Sequence, residues 1–189
     1  ADIERYCLTA IELGASDAKI IKSDQVIIEH RVSGKCKIPN CTYYGTNINC
    51  PPFVTPIEEI EKILKEYEYG IFTRLIVPSD RMACAKAFEE DEIGFDLRKL
   101  HEIVSKVESQ AFYDGYYLAM GLAGGPCKRA FCQNIECSAL ILGKGCRHSL
   151  IARPSMEAVG MNCFKMATNE GWDIYPIGRK TFPDDVPYG

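Results

Sequence analysis

Residues 127–146 read CKRAFCQNIECSALILGKGC, and residues 36–50 read CKIPNCTYYGTNINC. Both contain the spacing C-x4-C-x8-C, at Cys36, Cys41 and Cys50 and again 96 residues later at Cys132, Cys137 and Cys146. Cys127 lies five residues before the second triad and extends it to C-x4-C-x4-C-x8-C. A repeated pattern of soft thiolates reads as two related metal sites, one with four ligands and one with three. Gly45, Gly124, Gly125, Gly143 and Gly145 crowd these loops, where glycine lets backbone approach closely and aim N–H groups at sulfur.

Working outward, the rest of the chain alternates helix and strand patterns. Ile3, Cys7, Ala10 and Ile11 predict a helix over Asp2 to Leu13, ended by Gly14. Ala18 to Val32 reads as two short strands around Lys22-Ser23-Asp24, so the first cysteine loop is expected to hang from a strand end and close at Cys50-Pro51-Pro52. Thr55, Pro56 and Glu58 form a capping-box pattern ahead of Ile57, Ile60, Leu64 and Tyr67. A strand over Gly70 to Val77 follows. The longest helix, Glu90 to Asp114, carries Leu97, Leu100, Val104, Val107 and Ala111 as one apolar stripe behind an acidic start at Glu89-Glu90-Asp91-Glu92. A strand over Tyr116 to Leu122, a helix from Pro154-Ser155 to Glu170 stopped by Gly171, and a strand over Asp173 to Ile177 complete the reading. The expected fold is α/β (α+β), a mixed sheet flanked by helices with two cysteine-rich loops, in a single domain over residues 1–189.

Composition narrows the function classes. At 47% apolar residues the chain can bury an ordinary core without metal, and a net charge of −4 argues against nucleic-acid binding. No apolar run approaches the length of a membrane span, and no signal segment is visible, which leads to the expectation of a cytoplasmic protein with reduced thiols. The cysteine loops are locally basic: Lys128, Arg129, Lys144, Arg147 and Arg153 face only Glu136, while Lys35 and Lys37 face no acid. Such cations offset thiolate charge or dock an anionic partner.

Three metal readings compete: iron–sulfur, zinc and another soft ion. Zinc knuckles bring cysteines as closely spaced pairs, and neither triad has a C-x2-C pair. Gaps of four and eight residues suit a cubane whose separate irons each take one thiolate. Cys127, Cys132, Cys137 and Cys146 complete one cluster, whereas Cys36, Cys41 and Cys50 leave a corner that Cys84, Cys163 or Cys7 fills or that stays open as a Lewis acid. His148 reads as a neighbour of the cluster, Tyr43 and Tyr44 as its cover, and His30 and His101 receive no role. Walker, dinucleotide and serine-elbow motifs are absent.

The stretches KCKIPNCTYYGTNINCPPF, GPCKRAFCQNIECSALILGKGCRHS and ARPSMEAVGMNCFKMA resemble a family of predicted metal-binding proteins found in anaerobic bacteria and methanogenic archaea. The marks are Cys50-Pro51-Pro52, Gly125-Pro126-Cys127, and Pro154 to Ala158 with Gly160. Four residues separate Cys127 from Cys132, where the family pattern is a tighter Cys-x-x-Cys. The resemblance implies a cytoplasmic iron–sulfur protein of anaerobic metabolism, linked with corrinoid or methyl-transfer systems, and no defined reaction. The expectation is therefore a protein with two [4Fe-4S] clusters that delivers electrons to a redox partner. The alternatives are an enzyme using an open iron of the first cluster for sulfur transfer, desulfuration or dehydration, and a zinc-binding interaction module. A further variant joins the triads through a bridging sulfide and leaves Cys127 spare.

Overall fold

The helices and strands follow in the order α1 (Glu4–Glu12), β1 (Asp17–Lys22), α2 (His30–Lys37), α3 (Ile57–Leu64), β2 (Tyr69–Arg74), α4 (Glu92–Tyr113), α5 (Cys127–Phe131) and α6 (Cys163–Asn169). The structure, a computed structural model, describes residues 3–83, 92–178 and 180–189. Cys84 and the acidic residues Glu89, Glu90 and Asp91 lie outside the described residues. The result is a mixed α+β fold, as the alternation predicts. Among the described residues no helix is long and apolar enough to cross a membrane.

Strands β1 and β2 pair antiparallel, from Asp17 opposite Arg74 to Lys22 opposite Tyr69. Ile21 and Phe72 face the main core, where they join Ile60, Val159, Met161, Met166 and Trp172. Trp172 stacks on Phe72 with ring centroids 4.9 Å apart and donates its indole N–H to Asp17 at 2.8 Å. That pairing satisfies the one polar atom of a large buried ring. The helix α1 stops at Gly14, whose φ of +105° suits glycine alone without strain.

The sheet has two strands among the described residues, and three expected strands are absent. Beyond Lys22 the chain makes a short 3₁₀ turn and one isolated bridge, Ile28 to Met161, before entering α2. The first cysteine loop therefore hangs from a helix end, with Cys36 in the last turn of α2. Residues 173–177 form no strand; Ile174 packs on the core as a single residue without a hydrogen-bonded ladder. The expected helix from Ser155 begins only at Cys163, because Gly160 turns the chain at φ +91° and Asn162 caps the new helix through Lys165 N–H at 3.1 Å. Ser155 instead accepts from Ala158 N–H within the turn. Pro56, where Thr55 is expected to cap, is the N-cap of α3 and makes no side-chain cap bond.

The third missing strand, Tyr116 to Leu122, explains how the second loop is held. Residues 121–125 run antiparallel along α4 instead of along a sheet edge. A Cβ added to Gly121 would stand 2.8 Å from Val104, one on Gly124 2.8 Å from Leu100, and one on Gly125 2.6 Å from Leu97. The apolar stripe of α4 thus packs directly on backbone, and three glycines make that approach possible. Gly121 N–H is taken by Glu108 Oε1 at 2.8 Å, while Ala123 bonds to Pro154 and Met156.

Gly125 combines a φ of +67° with the closest approach, immediately before Pro126 and Cys127. Gly125→Ala is expected to lower stability by about 2 kcal/mol, through overpacking and left-handed strain together. Gly34→Ala, inside α2 with nothing within 4 Å of the new methyl, is expected to raise it by about 0.5–1 kcal/mol. Urea denaturation midpoints of the two variants check both signs.

Candidate metal centre

Helix α5 is short, and its position is imposed by α4. Arg98 donates from Nε and from a terminal nitrogen to Ala130 O, at 3.0 and 2.9 Å, a fork that fixes the end of α5. The guanidinium also stands over the Phe131 ring, 5.5 Å from its centroid. Phe131 is sandwiched between His101, edge-on at 5.4 Å, and His148, stacked at 5.1 Å. Cys127 starts this helix and Cys132 follows it, so both sulfurs inherit the placement.

The remainder of the second loop is closed by its own polar contacts. Ser138 Oγ donates to Gly145 O at 2.7 Å and Arg147 donates to Glu136 O at 2.7 Å. His148 N–H donates to Cys146 Sγ at 3.4 Å, an N–H···S bond of the kind that stabilises thiolate. Burial pushes the Cys132 thiol up, Arg147 opposes that shift, and Cys146 and Cys137 add to it as charged neighbours. All four cysteines of this loop therefore occupy one neighbourhood.

The first loop builds a matching set. Cys36 O accepts from Cys41 N–H at 2.8 Å, and Asn40 before it takes a φ of +85°, a conformation Asn tolerates well. Burial raises the Cys36 thiol, with Cys41 and Glu157 adding to the rise. Burial pushes Cys50 up to about 11, opposed by a hydrogen bond from Asn47 and reinforced by Cys36 and Cys41. Cys41 is exposed and Cys50 buried, so the set runs from the surface inward.

Cys127 is where the two sets meet. Its Sγ accepts from Asn49 Nδ2 at 3.4 Å and donates to Asn47 Oδ1 at 3.5 Å, both residues of the first loop. Burial pushes its pKa up to about 12; Asn49 opposes this, and Cys50, Cys146 and Cys137 add to it, from both loops. Lys128 Nζ reaches Thr46 O at 3.5 Å across the same seam. Asn47 is 1% exposed and also contacts Tyr43 O, Thr46 Oγ1 and Asn49 N–H.

Of the spare cysteines, Cys7 has Glu4 and Asp17 as its charged neighbours, after burial, and none of the seven candidate cysteines. Cys163 is raised by burial and then by Glu157, the acid that also acts on Cys36. Among the described residues no three His, Cys, Asp or Glu side chains are close enough to share a single ion. A cavity of about 790 Å³ lies between β2, α4 and residues 115–122, and none of the seven cysteines lines it.

Three polar residues of this region carry no spacing signal: Asn47, His101 and Glu157. His101, fully buried on α4, accepts Arg153 N–H at Nδ1 over 3.2 Å, and its Nε2 has no partner among the described residues. Asn and Glu are ordinary loop residues, and His101 sits in a helical pattern, so nothing short of packing singles them out.

A family model described as predicted metal-binding protein (DUF2284) matches residues 19–187. No curated protein and no solved structure matches the chain.

Two measurements probe this arrangement. Asn47→Ala removes the acceptor of both Asn49 N–H and the Cys127 S–H at the seam, and is expected to cost about 2 kcal/mol in urea denaturation. Burial and then Arg153 depress His101 from 6.5 to about 4, so the unfolded chain binds the extra proton between those values. The stability carried by its neutral ring is complete above pH 6.5 and is lost as pH falls towards 4, by up to about 3 kcal/mol. His101→Gln should flatten that acid limb of the stability profile.

Proposed function

The chain belongs to that family of predicted metal-binding proteins, and we propose that it is an iron–sulfur protein carrying two [4Fe-4S] clusters and moving electrons to a partner. The single observation behind this reading is the adjacency of the two sulfur sets at Cys127, Asn47 and Asn49. Cys36, Cys41 and Cys50 would hold one cluster; Cys127, Cys132, Cys137 and Cys146 would hold the other.

The donor set fits such a core. It is all thiolate, which favours soft metals. The sulfurs of each set neighbour one another, and gaps of four and eight residues suit a cubane, which takes its thiolates on separate irons, while zinc draws four ligands to about 2.3 Å of one centre. Buried thiols at about 11 and 12 are poor anions on their own, so a bound cation supplies the counter-charge that lets them deprotonate. A cluster bound there supplies one-electron chemistry at a potential set by its hydrogen bonds, charge and exposure. Asn47, Asn49 and the His148 N–H are the donors that set those terms in this chain.

The second loop also offers a docking face. Leu142 is fully exposed between Ile141 and Gly143, and the basic residues Lys144 and Arg147 follow within the same loop. An acidic redox partner with an apolar centre suits that surface. Relative to a corrinoid or methyl-transfer system, the protein would act as the electron donor.

Protein purified without oxygen is expected to contain iron and inorganic sulfide in near-equal amounts and to lose visible absorbance on reduction by dithionite. Near-stoichiometric zinc with no sulfide would instead establish the interaction-module reading. Cys127→Ser is expected to perturb the spectra of both centres, because that sulfur adjoins both sets.

A further inference from the structure

Strand β2 has one paired edge and one free edge. Ser23 N–H donates to Glu68 O at 3.0 Å and Ser16 N–H to Arg74 O at 2.7 Å, so the backbone groups of residues 68, 70, 72 and 74 point at β1. Hydrogen bonding alternates along an antiparallel pair, and Tyr69, Ile71 and Thr73 therefore aim their N–H and C=O groups the other way. Those main-chain groups have no hydrogen-bond partner among the described residues, where the sheet has no third strand. The register runs unbroken from Lys22 opposite Tyr69 to Asp17 opposite Arg74, with no bulge or proline to blunt that edge.

The free edge borders the cavity of about 790 Å³. Consecutive residues from 66 to 73 line it, as an edge does; a sheet face would contribute alternate residues only. Val104, Val107, Glu108 and Ala111 supply its floor from one face of α4. Residues 115–120 form the opposite wall, where the amides of Tyr117, Leu118 and Met120 are likewise without a hydrogen-bond partner among the described residues. Tyr67 spans the slot at one end, donating its hydroxyl to Leu118 O at 2.5 Å. The gap there is one tyrosine side chain wide, comparable with the two strand spacings, about 9.5 Å, that an inserted strand needs.

The walls also have a sign. The carboxylates lining the slot are Glu66, Glu68 and Glu108, and among the described residues no lysine, arginine or histidine lines it. Glu108 is neutralised by Arg153, whose Nε lies 2.6 Å from Oε2. Glu66 and Glu68 are exposed and form no ion pair among the described residues. We propose that this slot binds an extended segment of another protein by strand addition, apolar at alternate positions and carrying lysine or arginine between them. Its main chain would pair with Tyr69, Ile71 and Thr73, its apolar side chains would pack on Val104, Val107 and Ala111, and its cations would meet Glu66 and Glu68. This occupant is opposite in sign to the acidic partner that suits the basic second loop, so the two surfaces are distinct. The proposal needs no metal and stands apart from the iron–sulfur reading.

The probe is the capped peptide Lys-Val-Lys-Val-Lys-Val, titrated calorimetrically into the full chain. It is expected to bind more tightly than its Glu-Val-Glu-Val-Glu-Val counterpart. A version N-methylated at the valine amides, which cannot donate along one edge, is expected to bind about tenfold more weakly. Ile71→Pro removes an edge N–H that β1 does not use and is expected to weaken the lysine peptide by a similar factor. Glu66→Lys combined with Glu68→Lys, both at exposed positions, is expected to transfer the preference to the glutamate peptide. No binding of the lysine peptide, equal binding of its N-methylated form, or an unchanged preference in the charge-reversed protein would each overturn the proposal. Free lysine amide binding as tightly as the peptide would overturn it in favour of a small-cation pocket. Should Ile71→Pro fail to fold, the N-methylated peptide and the charge reversal still decide.

Discussion

The seven candidate ligands sit in segments with almost no regular hydrogen-bond ladder, so side-chain donors and acceptors have to hold the backbone in place. Arg98 does this for α5 through Ala130 O, Ser138 and Arg147 for the second loop, and Asn47 for the first. Each of these bonds serves a backbone group that would otherwise be buried without a partner or left to move. Where a sheet spreads its constraints over many equivalent bonds, this site concentrates them in a few named residues. The small two-stranded sheet closes the core around Phe72 and Trp172.

Electrostatics sets the protonation of the same loops. Desolvation dominates at Cys36, Cys50, Cys127 and Cys132, raising all four thiols, and neighbouring cysteines raise them further. Thiols raised in this way stay protonated and neutral on their own, and only a bound cation would make thiolates of them. The surrounding asparagine amides and Arg147 act in the same direction more weakly, since they favour thiolate without replacing the missing positive charge.

Much of this was legible in the residue order, and the failures are instructive. The stripe Leu97, Leu100 and Val104 was readable because helical spacing is a local property, and it does face the chain. Its partner was not readable: Tyr116 to Leu122 has the β-compatible composition of a strand, yet the glycines that follow let the chain lie along a helix instead. The same limit applies at Asp173 to Ile177, where apolar composition marks burial without marking a ladder partner. At Ser155 the sequence suggests a helix cap, but the residue sits in a turn, and Gly160, with Ile57 3.0 Å from an added Cβ, decides that no helix begins there.

The order of residues by itself determined the two sulfur sets, their shared spacing and the helix that backs the second of them, because all three depend on distances along the chain. Only the tertiary structure decided that Cys127 adjoins both sets and that Asn47 and His101 are buried at their margins. Those contacts join residues far apart in sequence. They exist because α4 presses residues 121–125 into place and the turn at residues 155–160 pairs with the backbone ahead of α2, and packing of that kind leaves no periodic trace in a single sequence.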